Sequence, residues 1–97
     1  MNNIELGSSI ELANFNDLER DKMIVIKKIV GNFVKELQDK NVGFEKLSLN
    51  LKIIHSKEYE IFGKLIVKGK MYNSEVVNYN LFYALDEIFK KLGNEMS

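Results

Sequence analysis

Hydrophobic and polar residues alternate most regularly in the middle of the chain. Leu47, Leu49, Leu51 and Ile53 are interleaved with Lys46, Ser48, Asn50 and Lys52. A period of two places the leucines on one face of a strand and the polar residues on the other. After His55-Ser56-Lys57-Glu58, which reads as a turn, a second strand puts Tyr59, Ile61, Gly63, Leu65 and Val67 on one face. Glu60, Phe62, Lys64, Ile66 and Lys68 fall on the other. Lys68-Gly69 fits a two-residue hairpin turn. That turn sets a register in which Leu65 lies opposite Tyr72, Gly63 opposite Ser74 and Ile61 opposite Val76, all on the core face. Phe62, Ile66, Met71 and Glu75 share the other face, with Ile66 and Met71 as cross-strand neighbours.

Two segments have the spacing of helices instead. Met23, Ile26, Val30, Phe33 and Leu37 recur three and four apart, with Ile24, Ile29 and Val34 widening the stripe. Asn16 as N-cap with Glu19 three residues on predicts a start near Asp17, and Asn41-Val42-Gly43 predicts an end near Lys40. Gly31 lies inside this helix at a cost of about 1 kcal/mol relative to alanine, and a close packing contact is the simple reason for it. The last helix begins at Asn80 as cap and packs through Leu81, Leu85, Ile88 and Leu92, with Phe82 and Phe89 beside them. Gly93 is its expected stop. At the other end of the chain, Ile4-Glu5-Leu6 and Ile10-Glu11-Leu12 flank Gly7-Ser8-Ser9, giving a short first strand and a turn. The expected architecture is an α+β two-layer domain over residues 1–97. Its order is β-α-β-β-β-α, and two helices cover one face of a four-stranded, mostly antiparallel sheet.

Composition narrows the function classes. The chain has 97 residues, 45% of them hydrophobic, enough for one core without metal or disulfide support. It has no cysteine, so disulfides and thiolate metal sites are ruled out. No leader-like or membrane-spanning stretch is evident, so a cytoplasmic location is expected. His55 is the single histidine and has no motif-spaced partner, so neither a metal site nor a catalytic triad is expected around it. Asp17, Glu19 and Asp21 are read as acids favouring a helix start, since they lack the spacing of a calcium loop. No glycine-rich phosphate loop is present. The expectation is a non-enzyme without cofactor, metal or small-molecule substrate.

Fourteen basic and fourteen acidic residues give a net charge of zero, which argues against a protein that coats nucleic acid by charge alone. The signs are unevenly distributed, however. Acids dominate the first 21 residues, where Arg20 is the single cation, and lysines outnumber acids from Lys22 to Lys70. Lys27, Lys28 and Lys35 fall on the outer side of the first helix. Lys46, Lys52, Lys64 and Lys68 fall on the open sheet face, where Phe62 could stack on an unpaired base.

The chain resembles the ribosome hibernation promoting factor family in its short form, whose members are also called ribosome-associated inhibitors. The resemblance rests on Ile4-Glu5-Leu6-Gly7-Ser8-Ser9-Ile10-Glu11-Leu12 at the start and Leu51-Lys52-Ile53 in the second strand. Its third element is Asn80-Leu81-Phe82-Tyr83-Ala84-Leu85-Asp86 followed by Lys91-Leu92 in the last helix. It implies binding to the small ribosomal subunit and its RNA, across the mRNA/tRNA path, as a dormancy or stress factor that inhibits translation. The RNA-contacting set expected from residue placement, not from the resemblance, is Lys28, Lys35, Lys46, Lys52, Phe62, Lys64 and Lys68. The dense basic run usual along the family's last helix is reduced here to Lys90-Lys91, and Ile29 and Asn32 stand where basic residues are typical in the first helix. A different expectation is a protein-interaction or self-association module, such as a homodimer, using Phe62, Ile66 and Met71.

Overall fold

The computed structural model describes residues 3–5, 9–55 and 57–96. The elements are β1 (Asn3–Glu5), β2 (Ile10–Ala13), α1 (Arg20–Asp39), β3 (Phe44–Ile54), β4 (Glu58–Val67), β5 (Lys70–Asn78) and α2 (Leu81–Met96). The expected α+β class and the β-α-β-β-β-α plan hold. The N-terminal segment forms two strands rather than one, so the sheet order is β1-β2-β3-β4-β5. Among the described strands only the β2–β3 pairing is parallel, and α1 provides its crossover. Gly7 and Ser8 of the expected Gly7-Ser8-Ser9 turn lie outside the described residues, as do Leu6 and Ser56.

The long hairpin follows its pattern. Leu65 pairs with Tyr72, Gly63 with Ser74, Ile61 with Val76 and Ile66 with Met71. Lys68 and Gly69 have φ of 51° and 75°, the two positive values that a type I′ turn requires. Leu47, Leu49, Leu51, Ile61, Leu65, Val67 and Val76 are buried on one sheet face, in a single core shared with both helices.

Both helices cover that face. α1 buries Met23, Ile26, Val30, Val34 and Leu37. Phe33, expected in the stripe, turns sideways and stacks on Phe89 of α2, with ring centroids 4.2 Å apart. Ile24, expected to widen the stripe, is 59% exposed. One residue beyond Met23 is about 100° around the helix, enough to leave the core. α2 closes onto the sheet over Gly63, where a Cβ would stand 2.9 Å from Ile88 Cγ1 and 3.1 Å from Leu92 Cδ1.

Helix boundaries depart from expectation in two places. α1 starts at Arg20, not Asp17, and Glu19 at its cap position makes no side-chain capping bond. The reason is Phe15, which is completely buried. The chain turns over it with Asn14 at φ 66° and Leu18 N–H donating to the Phe15 carbonyl at 3.3 Å. Residues 14–19 are therefore committed to burying that ring. α2 also passes through its expected stop at Gly93 and ends at Met96, because an interior glycine weakens a helix without breaking it. Its start is as expected: Asn80 Oδ1 accepts from the N–H of Phe82 at 2.9 Å and of Tyr83 at 3.1 Å.

Candidate nucleic-acid interface

The pairing registers arrange the sheet face opposite the helices in cross-strand rows. Lys46, Ile66 and Met71 form one row; Glu11, Ser48, Lys64 and Asn73 form the next. Ala13, Asn50, Phe62 and Glu75 follow, and Lys52, Glu60 and Val77 come last. Lys46, Lys52, Lys64 and Phe62 therefore share this face, as the alternation implied. Acids are interleaved with them. Glu60 lies directly opposite Lys52, and Glu75 is diagonal to Lys64, at the roughly 7–8 Å separation of diagonal pairs.

Lys68 is not part of the array. The positive φ of the turn sends its aliphatic stem over Gly43, whose Cβ would meet Lys68 Cγ at 2.5 Å. Its N–H donates to the Gly43 carbonyl at 3.0 Å, while Glu45 accepts from the neighbouring Gly69 N–H. Lys68 fastens the β4–β5 turn to the start of β3 and sits at the end of the sheet.

The apolar trio divides. Ile66 and Met71 are direct neighbours and Met71 is 54% exposed, but the Lys64–Asn73 row separates them from Phe62. Four residues along β4 amount to about 13 Å. Phe62 instead borders a hollow of about 330 Å³ floored by Ser48 and Ala13 and flanked by Asn50, Lys64 and Asn73. Asn50 Oδ1 in its wall accepts from Asn14 Nδ2 at 3.0 Å.

Lys28 and Lys35 lie in the opposite layer, so no single flat surface unites them with the sheet lysines. The stacking of Phe33 on Phe89 sets the rotation of α1, and the flank turned away from α2 carries Arg20, Lys27, Lys28 and Lys35, all exposed. By helical geometry these four fall within an arc of about 100° together with Ile24, Gly31 and Gln38. No acid stands within that arc; Asp21 and Asp39 border it, one at each end of the helix, and Asp39 is the i+4 neighbour of Lys35. Arg20 and the relation of these lysines to Gly31 were not singled out from the sequence, although the i−4, i−3 and i+4 spacing around position 31 is legible there. Tyr79 and Tyr83 at the start of α2, 70% and 68% exposed, were likewise not anticipated as surface aromatics.

Among the described residues no group of three or more His, Asp or Glu side chains could hold a metal ion, and Asp17, Glu19 and Asp21 all face solvent. No helix among them is long and apolar enough to cross a membrane. No protein-family model and no curated protein matches the chain.

Proposed function

We propose that this protein binds the RNA of the small ribosomal subunit in the cytoplasm and holds the ribosome in a translationally inactive state, acting by occupancy and not by catalysis. The observation that carries the reading is the acid-free flank of α1. In a chain of zero net charge, four cations on one rigid helix without an intervening carboxylate form a local site for a polyanion. The resemblance in the first strands and the last helix supports the same reading. The open sheet face, with its lysines matched by Glu11, Glu60 and Glu75, is the weaker electrostatic surface.

The test is sedimentation of native lysate on a gradient, followed by binding of purified protein to small subunits across a salt series. The protein is expected to travel with small subunits. Affinity is expected to fall with salt by about 0.7 to 0.9 in log–log slope for each phosphate neutralised. Absence of binding at low ionic strength, or binding indifferent to salt, defeats the proposal.

A self-associating module is the second reading, favoured by exposed Met71 beside half-buried Ile66 on the open sheet face. It requires a dimer by light scattering that Ile66→Ser converts to a monomer. A monomeric wild type at micromolar concentration removes it.

A further inference from the structure

Gly31 has no structural reason within the fold. A glycine in a helix interior is less favourable than alanine, because its backbone loses more freedom on folding. Two things usually require it, and neither holds here. Its φ is not positive; among the described glycines only Gly43 and Gly69 have positive values. Nor does a neighbouring element crowd it: apart from its chain neighbours and the adjacent helix backbone, no described atom lies within 4 Å of where a Cβ would stand. Gly63 offers the contrast, with Ile88 and Leu92 pressing on its Cα position.

What surrounds Gly31 is chemically specific. The positions adjacent to residue 31 on a helix surface are three and four residues away on either side. They are Lys27, Lys28, Val34 and Lys35. Val34 is buried in the core, and the three lysines are exposed. Three ammonium-bearing side chains therefore ring a partly exposed stretch of helix main chain that carries no side chain of its own. We infer that Gly31 is the point at which the sugar–phosphate backbone of RNA comes closest to this protein, in van der Waals contact with the helix main chain. Lys27, Lys28 and Lys35 close around the phosphates on either side. The inference rests on the RNA-binding reading of α1 and adds the contact geometry to it. A side chain at position 31 would hold the RNA backbone off the helix. The flexible lysines would then reach their phosphates at greater distance and with more intervening water, and the attraction falls with both.

The test uses the full-length chain and purified small ribosomal subunits as the probe, comparing Gly31→Ala, Gly31→Leu and the combined Lys27→Gln, Lys28→Gln, Lys35→Gln variant. Alanine and leucine are better helix formers than glycine, and a Cβ at position 31 meets no neighbouring element. Both single variants are therefore expected to keep the wild-type circular dichroism spectrum and a Tm at or above wild type. Gly31→Leu is expected to lose at least tenfold in affinity, with Gly31→Ala between it and wild type. A lowered Tm in Gly31→Leu would reveal a packing role and overturn the inference. If the lysine variant loses binding while Gly31→Leu binds as wild type, RNA is held on α1 but not against Gly31, and the inference falls alone. If both bind as wild type, the RNA reading of α1 falls and takes the inference with it.

Discussion

Replacing Phe15 with alanine is expected to destabilise the protein by about 3–5 kcal/mol, the range for removing a fully buried aromatic ring. Phe15 is the largest of the completely buried side chains among the described residues. It fills the corner where the chain leaves β2 and rises to α1, so the loop has no second apolar residue of that size to replace it. A chain of 97 residues has roughly 5–15 kcal/mol of total stability. The substitution would thus remove a large part of it, and for a domain near 100 residues Tm should fall by more than about 12 °C. Thermal unfolding followed by circular dichroism measures this directly. Phe15→Leu, which retains much of the apolar volume, should lose far less. A Tm within about 4 °C of wild type for Phe15→Ala would mean that the ring is not part of the core, and that the path of residues 14–19 is wrong.

Phe15 also marks where sequence reasoning runs out. The sheet was legible because strand alternation repeats: Leu47, Leu49 and Leu51 name their face three times over, and the turn at Lys68-Gly69 fixes the register of everything beyond it. The helix stripes were legible for the same reason. Phe15 stands between elements, where no period applies, so nothing signalled that burying it would delay α1 from Asp17 to Arg20. Asn16 and Glu19 have the residue types of a capping box, yet burial of an aromatic ring outweighs a cap contributing about 1 kcal/mol. The extra strand arose similarly: the two short N-terminal runs pair with each other, and β2 then lies parallel to β3. Periods of two and 3.6 are local, whereas that pairing depends on the α1 crossover.

For the candidate site, parity alone placed Lys46, Lys52, Lys64 and Phe62 on one face. It could not place Lys68, because the left-handed turn conformation takes that residue out of the alternation. Nor could it show that Glu11 joins the same face, since that follows from the parallel β2–β3 register. The balance of charge across the sheet became visible only when all the strands were in place. It shifts the weight of the RNA-binding reading from the sheet to α1.

That shift gives the second large prediction. Combined replacement of Lys27, Lys28 and Lys35 by glutamine is expected to lower affinity for small ribosomal subunits far more than combined replacement of Lys46, Lys52 and Lys64. Each phosphate contact contributes about 0.7 to 0.9 to the slope of log K against log salt, so three lost contacts remove about 2 to 3 from it. If the electrostatic part vanishes near 1 M salt, the affinity lost at about 0.1 M is between two and three decades. The sheet variant removes three lysines from a surface where Glu60 and Glu75 already offset two of them, so its slope should change by less than one such contact. Both variants should fold as wild type, because all six lysines are exposed and solvated surface charges contribute little to stability. Titrating each protein against small subunits at four or five salt concentrations yields both slopes in one experiment. A sheet variant with the steeper loss would return the RNA to the Phe62 face, and the acid-free flank of α1 would then be no more than a solvated helix surface.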